Sequence, residues 1–342
     1  GKGRLYLFDI WEQLLTASVV KDSLKGRDPD PEDFFNNYDI TAGIDIIDWQ
    51  HNFFISDAYT LTAGAEYRKE RGENIGTFDE SIENKALYLN NKLKLFKGDL
   101  IFDAGLRYDD HETFGDKTTY RLGAIYNVKS AALRIQSSYG TGFRAPALNE
   151  LFFPFYGNSS LKPEESTSWE IGLEKDLFKQ RLSLSIIYFE QKYENLIQLD
   201  PSTFLASNVA EAAIKGIESG AILRPIDKLE IKAGYTYLDT EDKTTGQRLT
   251  RRPKDKVNLS AVFSTGKASV VANYTFVGER FDSVVESSLS SYSLVNLSGN
   301  YNATKNIMLF GRIDNIFDED YEEAGSYGTP GFSFFAGVKV TL

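Results

Sequence analysis

The sequence has no cysteine, one methionine and only two histidines, His51 and His111, among its 342 residues. The missing thiols exclude a disulfide scaffold, a thiolate metal site and a cysteine nucleophile. Two histidines leave almost no material for a multi-histidine metal centre or a serine–histidine triad. There is no phosphate-cradling glycine loop, and paired carboxylates occur only incidentally, so the chain reads as a protein that is not an enzyme. No run approaches the ~20 consecutive apolar residues of a spanning helix, and mean hydropathy is negative. This excludes a helical membrane protein but not a barrel, whose strands alternate lipid-facing and lumen-facing residues and so dilute their hydropathy. Basic residues are in deficit too, 38 against 49 acidic for a net charge of −11, which argues against nucleic acid as a partner. The first residue is Gly1 rather than methionine, with no signal peptide, and the expectation is a mature fragment with something missing upstream.

What is present is ordinary in bulk, 42% apolar and 25% charged, so a folded chain rather than a disordered one is expected. The organising signal is alternation with period two, which puts every second side chain on one face of a strand. Leu229, Ile231, Ala233, Tyr235 and Tyr237 interleave with Glu230, Lys232, Gly234 and Thr236. Leu100, Phe102, Ala104, Leu106 and Tyr108 interleave with Asp103, Gly105 and Arg107. Trp169, Ile171 and Leu173 do the same against Glu170 and Gly172. No comparable run has helical period, so helices are expected to be few.

A soluble sandwich also alternates, and connection lengths separate the two. Tight turns at Ser56-Asp57, Lys97-Gly98-Asp99, Val128-Lys129-Ser130, Lys179-Gln180, Pro225-Ile226-Asp227, Thr265-Gly266-Lys267 and Ala303-Thr304-Lys305 alternate with long polar loops. The long loops are expected at 24–37, 71–82, 110–118, 141–165, 195–212, 240–253, 280–290 and 315–329. Short turns on one rim and long loops on the other are the habit of outer-membrane barrels, with the short rim periplasmic. The fold class expected is therefore all-β, a transmembrane antiparallel up-and-down β-barrel, with about 16 strands each long enough to cross a bilayer. Backbone groups facing lipid must all be paired, so such a sheet closes rather than keeping an open edge. Tyr67, Tyr108, Tyr139, Tyr188, Tyr237 and Phe276 are expected near strand ends as interfacial aromatics. The last strand puts Phe332, Phe334, Ala336, Val338, Val340 and Leu342 on one face.

Four segments in order carry a resemblance. The first is Phe143-Arg144-Ala145-Pro146 followed by Leu148-Asn149-Glu150-Leu151-Phe152. The second runs from Gly157-Asn158 through Leu161-Lys162-Pro163-Glu164-Glu165-Ser166 to Trp169-Glu170-Ile171-Gly172. The third is Asn208 with Lys215-Gly216-Ile217-Glu218, and the last is Asp314-Asn315-Ile316-Phe317-Asp318 with Tyr321, Tyr327 and Pro330-Gly331. Together they resemble the TonB-dependent outer-membrane receptors, and within them the cobalamin-receptor branch more than the siderophore receptors. The resemblance implies a bacterial outer-membrane location and energy-coupled uptake of a scarce bulky ligand such as a corrinoid or metal chelate. It further implies a barrel of about 22 strands with an amino-terminal plug that meets the TonB energy coupler. Residues 1–342 would then be the carboxy-terminal portion of a single barrel domain, with plug and first strands absent. The motif residues themselves read as folding devices, since Pro146 cannot donate to a strand ladder and Gly331 is free of side-chain clashes. Arg144 could also face the lumen and pair with an acidic group of a plug.

Candidate ligand-facing residues are the loop aromatics Phe152, Phe153, Phe155 and Tyr156, with loop self-packing as the alternative. Arg251 and Arg252 could attract an anionic ligand or a lipopolysaccharide phosphate, or pack against acidic loops. Asp28, Asp30, Glu32 and Asp33 form the densest acidic run, a candidate for Ca²⁺ or simply a solvated loop, because no calcium-loop spacing is met. Two rival functions remain at this level: a passive porin-like channel and a soluble β-rich binding module.

Overall fold

The computed structural model describes residues 1–30, 37–200, 202–282 and 287–341. In chain order its strands begin with β1 (Lys2–Leu7), β2 (Trp11–Gly26), β3 (Tyr38–Ser56), β4 (Tyr59–Asn74), β5 (Phe78–Leu95), β6 (Leu100–His111) and β7 (Gly115–Val128). They continue with β8 (Leu133–Arg144), β9 (Glu164–Leu177), β10 (Leu182–Leu199), β11 (Ala206–Ile226), β12 (Leu229–Asp242), β13 (Asp255–Ser264) and β14 (Ala268–Val277). The last are β15 (Arg280–Asp282), β16 (Ser287–Leu289), β17 (Tyr292–Asn302), β18 (Ile307–Asp314) and β19 (Ser333–Val340). Apart from two 3-10 turns, the single helix among the described residues is α1 (Leu148–Phe152). No described helix is long and apolar enough to cross a membrane, which says nothing of crossing by strands.

The chain forms two compact units. The first comprises Gly1–Tyr126, Ser137–Trp169 and Gln191–Ala212. In it β1 pairs with β2, and β2 through β7 follow one another as antiparallel hairpins. The second comprises Asn127–Gln136, Glu170–Glu190 and Ala213–Leu342. There β12, β13, β14, β17, β18 and β19 pair antiparallel in that order, and the small β15–β16 hairpin stands apart from their sheet.

The tight turns fall where the sequence places them, between β3 and β4 at 57–58 and in 3-10 turns at Phe96–Gly98 and Lys129–Ala131. Several expected loops are corrected. Residues 71–82 and 110–118 are mostly strand: β4 and β5 pair out to Asn74 with Phe78, and β6 and β7 out to His111 with Gly115. Arg71, at the start of the expected loop, pairs across the ladder with Asp45, and just outside it Lys69 pairs with Glu83 at 3.1 Å. Cross-strand charge pairs stabilise a sheet in water as well as apolar pairs do in lipid. β10 and β11 take up 195–199 and 206–212 of the expected 195–212 loop, and β15 and β16 occupy part of 280–290. Such strands, 19 residues in β3 and 21 in β11, exceed a bilayer crossing and extend beyond it.

The faces follow the alternation. On β6 Phe102, Leu106 and Tyr108 are exposed, while Arg107 on the other face reaches Glu66 at 2.7 Å and Asp109 at 2.8 Å. Neighbouring strands repeat this, with Ile47, Trp49, Leu87, Leu89 and Leu122 exposed. Apolar side chains point away from the polar face rather than into a shared core, the inverse of a soluble domain. The conventional core is small: Ile82, Leu151, Leu161 and Ala206 cluster beneath α1.

Candidate functional site

The long connections of the first unit converge on Arg144. β8 stops there because Pro146, buried, offers no N–H to a ladder. The chain turns into α1, where Glu150 reaches back to accept the Ala147 N–H at 2.7 Å, half of a capping box. The Arg144 fork donates through Nε and Nη2 to Glu164, both at 2.7 Å. It also donates through Nη1 and Nη2 to Glu150, at 3.0 and 3.1 Å. Glu164 further accepts the Ile197 N–H at 2.9 Å. One planar cation thus ties the end of β8, α1, the start of β9 and the end of β10. The guanidinium faces these two carboxylates of its own unit.

A second brace lies beside it. Asn208 accepts the Lys162 N–H at 2.8 Å and donates Nδ2 to the carbonyls of Lys162 and Asn195, at 2.9 and 2.7 Å. Pro163, between Lys162 and Glu164, is buried under this arrangement. Asn158 ties the loop to β11 through the Ala206 carbonyl at 2.9 Å.

The four loop aromatics divide. Phe152 and Tyr156 pack on the cluster of Ile82, Leu151, Leu161 and Ala206. Phe153 meets Phe78 edge-on, with ring centroids 6.4 Å apart. Phe155 alone is open, 90% exposed on a backbone with φ of 66°. Phe143 meets Phe114 edge-on at 5.7 Å.

In the second unit Arg251 is bound rather than free. Its Nε lies 2.9 Å from Oδ2 of Asp282, whose side chain is wholly buried and also accepts the Gly325 N–H at 2.9 Å. The hydrogen bond that Arg251 donates to Asp282 holds its guanidinium above its ordinary pKa. Arg280, buried two residues earlier, donates to the carbonyls of Ser290 (3.1 Å) and Glu322 and lies 5.2 Å from the Tyr292 ring centroid. Tyr321 lies tilted against Tyr292, with ring centroids 4.4 Å apart. Three connections are thereby knitted together, and Arg252 stays exposed beside them.

Two of the remaining motif residues are tied into the chain's own backbone or space, Asn315 and Gly216. Asn315 has φ of 48° and brackets Glu319, accepting its N–H and donating to its carbonyl, both at 2.9 Å. It also donates to the Pro330 carbonyl at 3.4 Å. Phe317 is exposed. Gly216 is required by space: a Cβ there would lie 2.4 Å from the Phe189 ring and 2.8 Å from the Tyr237 carbonyl.

Of the acidic run, Asp28 accepts the Asp30 N–H at 2.9 Å, and Asn37 donates to the Asp30 carbonyl at 2.7 Å. Glu32 and Asp33 lie outside the described residues. Among the described residues no group of three or more acidic or histidine side chains is placed to hold a metal.

Sequence reasoning singled out neither Glu150 as the partner of Arg144 nor Asp282 as that of Arg251. The first carries a signal, a glutamate three residues after the helix N-cap Ala147, at capping-box spacing. The second carries none, because it lies 31 residues from its arginine.

The polar face of the first unit holds a cavity of about 470 Å³ lined by Asp48, Glu66, Tyr88, Arg107 and Arg121 among others. Hairpins that are apolar on one face and hydrogen-bonding on the other, with tight turns at one end and braced loops at the other, define an outer-membrane β-barrel wall. The chain belongs to the family described as "TonB dependent receptor-like, beta-barrel", whose model matches residues 8–316. Members of that kind lie in the outer membrane. The chain is 31% identical over 301 residues to the vitamin B12 transporter BtuB of Photobacterium profundum, covering 85% of this chain and 49% of the relative. It is also 31% identical over 293 residues to the BtuB of Vibrio vulnificus, covering 82% and 46%. The chain thus spans about half the length of these curated relatives. In fold it resembles the ferric enterobactin receptor PfeA of Pseudomonas aeruginosa, with a TM-score of 0.82 at 20% identity over 99% of this chain and 61% of the other. It similarly resembles the copper transporter OprC, with a TM-score of 0.79 at 16% identity over 97% and 63%.

Proposed function

We propose that the chain is the carboxy-terminal portion of one barrel domain of a receptor for energy-coupled uptake of a corrinoid across the outer membrane. The likeness that carries this reading is to two vitamin B12 transporters, extending over more than four-fifths of the chain. The braced loops support it, since a large ligand is held best by loops ordered before it arrives. In this reading a plug, supplied by residues outside this chain, engages the TonB coupler. The exposed Phe155 and Arg252 meet the ligand or lipopolysaccharide, and the packed Phe152, Phe153 and Tyr156 hold the loop that presents them.

The test uses the full-length receptor, titrated calorimetrically with cyanocobalamin and separately with ferric enterobactin. Saturable cobalamin binding, with cellular uptake that stops when the TonB coupler is deleted, supports the proposal. Saturable binding of the iron chelate alone overturns the choice of ligand, and uptake indifferent to the coupler overturns the transport mode.

A further inference from the structure

The apolar face of the second unit is not level. Leu184 and Ile186 of β10 stand opposite Tyr235 and Leu259 of β12 and β13, and all four are exposed. Between them Ser219, Ala221 and Ala233 floor a concavity of about 590 Å³. The β12–β13 register puts Ala233 opposite Leu259 and Tyr235 opposite Val257, so floor and wall share one face. The Tyr235 hydroxyl donates to Asp255 at 2.6 Å, which fixes that wall.

The lining has one cation. Lys175 lies two residues before the end of β9 at Leu177, beside a tight turn. Its ammonium donates to the Ala131 carbonyl. An ammonium carries three donors, which leaves capacity for an anionic oxygen. The tight-turn rim of an outer-membrane barrel is periplasmic, so this mouth opens toward the phospholipid leaflet.

We propose that the concavity holds one acyl chain of a periplasmic-leaflet phospholipid, with Lys175 on its phosphate. Charge selects this occupant: a second copy of the chain would bring another apolar groove but no anion to the lysine. Ordered retention needs both contacts, because in hydrocarbon no hydrophobic force drives a chain into a groove and only close packing and the headgroup pair favour it over bulk lipid.

The test is native mass spectrometry of the full-length receptor in mild detergent, with phosphatidylglycerol, phosphatidylethanolamine and lipid A added in turn. Ala221→Phe fills the floor and Lys175→Gln removes the charge, and heat-modifiable gel migration reports that each variant is folded. The expected result is a phospholipid retained by the wild type and reduced roughly fivefold or more in each variant, since only packing and one ion pair are lost. Equal retention in wild type and Ala221→Phe, preferential retention of lipid A, or a dimer that Ala221→Phe abolishes would each overturn it. Cobalamin binding is a separate readout, so the ligand assignment and the lipid site stand or fall independently.

Discussion

A Cβ placed on Gly331 would stand 2.5 Å from Oδ1 of Asp318, the oxygen that accepts the Phe332 N–H at 2.7 Å. That carboxylate cannot retreat without releasing the first residues leading into β19. Gly331→Ala is therefore expected to destabilise the barrel by about 1 kcal/mol, the net worth of the hydrogen bond released. Gly328→Ala is the control, because nothing lies within 4 Å of its added Cβ. Urea unfolding of the full-length receptor in lipid vesicles reads the difference, and equal losses at the two positions would remove the steric argument.

Arg144→Ala leaves Glu150 and Glu164 facing each other with side chains only 14% and 16% exposed. Breaking a buried pair costs several kcal/mol, but Arg144 is itself half exposed and solvent screens the interaction. The expected loss is therefore about 1–3 kcal/mol. Arg144→Lys keeps the charge and loses the fork that engages both carboxylates, so it should recover only part. Protease susceptibility of the loop between β8 and β9 is the sensitive measure. A lysine variant as resistant as the wild type would mean that charge alone, without the fork, suffices.

Much of the wall was legible because its cause is local. Alternation on β6 and β12 follows from which side meets lipid, and each tight turn carries at least one polar or charged residue in a break of two or three between apolar runs. The outer ends of β4 and β5 were not legible as strand. Arg71-Gly72-Glu73-Asn74 has no apolar face, and only the ladder opposite, where Asp45 meets Arg71, shows why it stays extended. The same holds for the loops. Phe152 and Phe155 are alike in sequence, yet one packs on a cluster built from Ile82 and Ala206 and the other stands in solvent. Composition cannot distinguish them, because the distinction is made by residues some 50 to 70 positions away.

Asp282 is the acceptor for both Arg251 and the Gly325 N–H, so its charge joins two loops through one buried carboxylate. Asp282→Asn keeps an acceptor for Gly325 but removes the charge that Arg251 needs. Hydrogen exchange in 243–254 and 315–332 should rise together, with a loss of about 1–3 kcal/mol for the broken charged bond. Faster exchange confined to one of the two segments would show that Asp282 does not couple them.

Asp200, at the end of β10, accepts the Ser202 N–H at 2.9 Å and the Ser202 hydroxyl at 2.7 Å. These bonds favour its charged form and lower its pKa from the ordinary 3.8. A carboxyl whose folded pKa is depressed adds stability above its unfolded pKa and loses it as pH falls through the folded value. The loop at 200–205 should therefore resist pepsin evenly down to a pH near 3.8 and open only below it. Ser202→Ala removes the hydroxyl donor and returns the pKa toward its ordinary value, so the variant should be cut faster than the wild type above that pH and the two profiles should converge as pH falls. Identical cleavage profiles for wild type and Ser202→Ala would show that the hydroxyl bond contributes nothing to holding the loop.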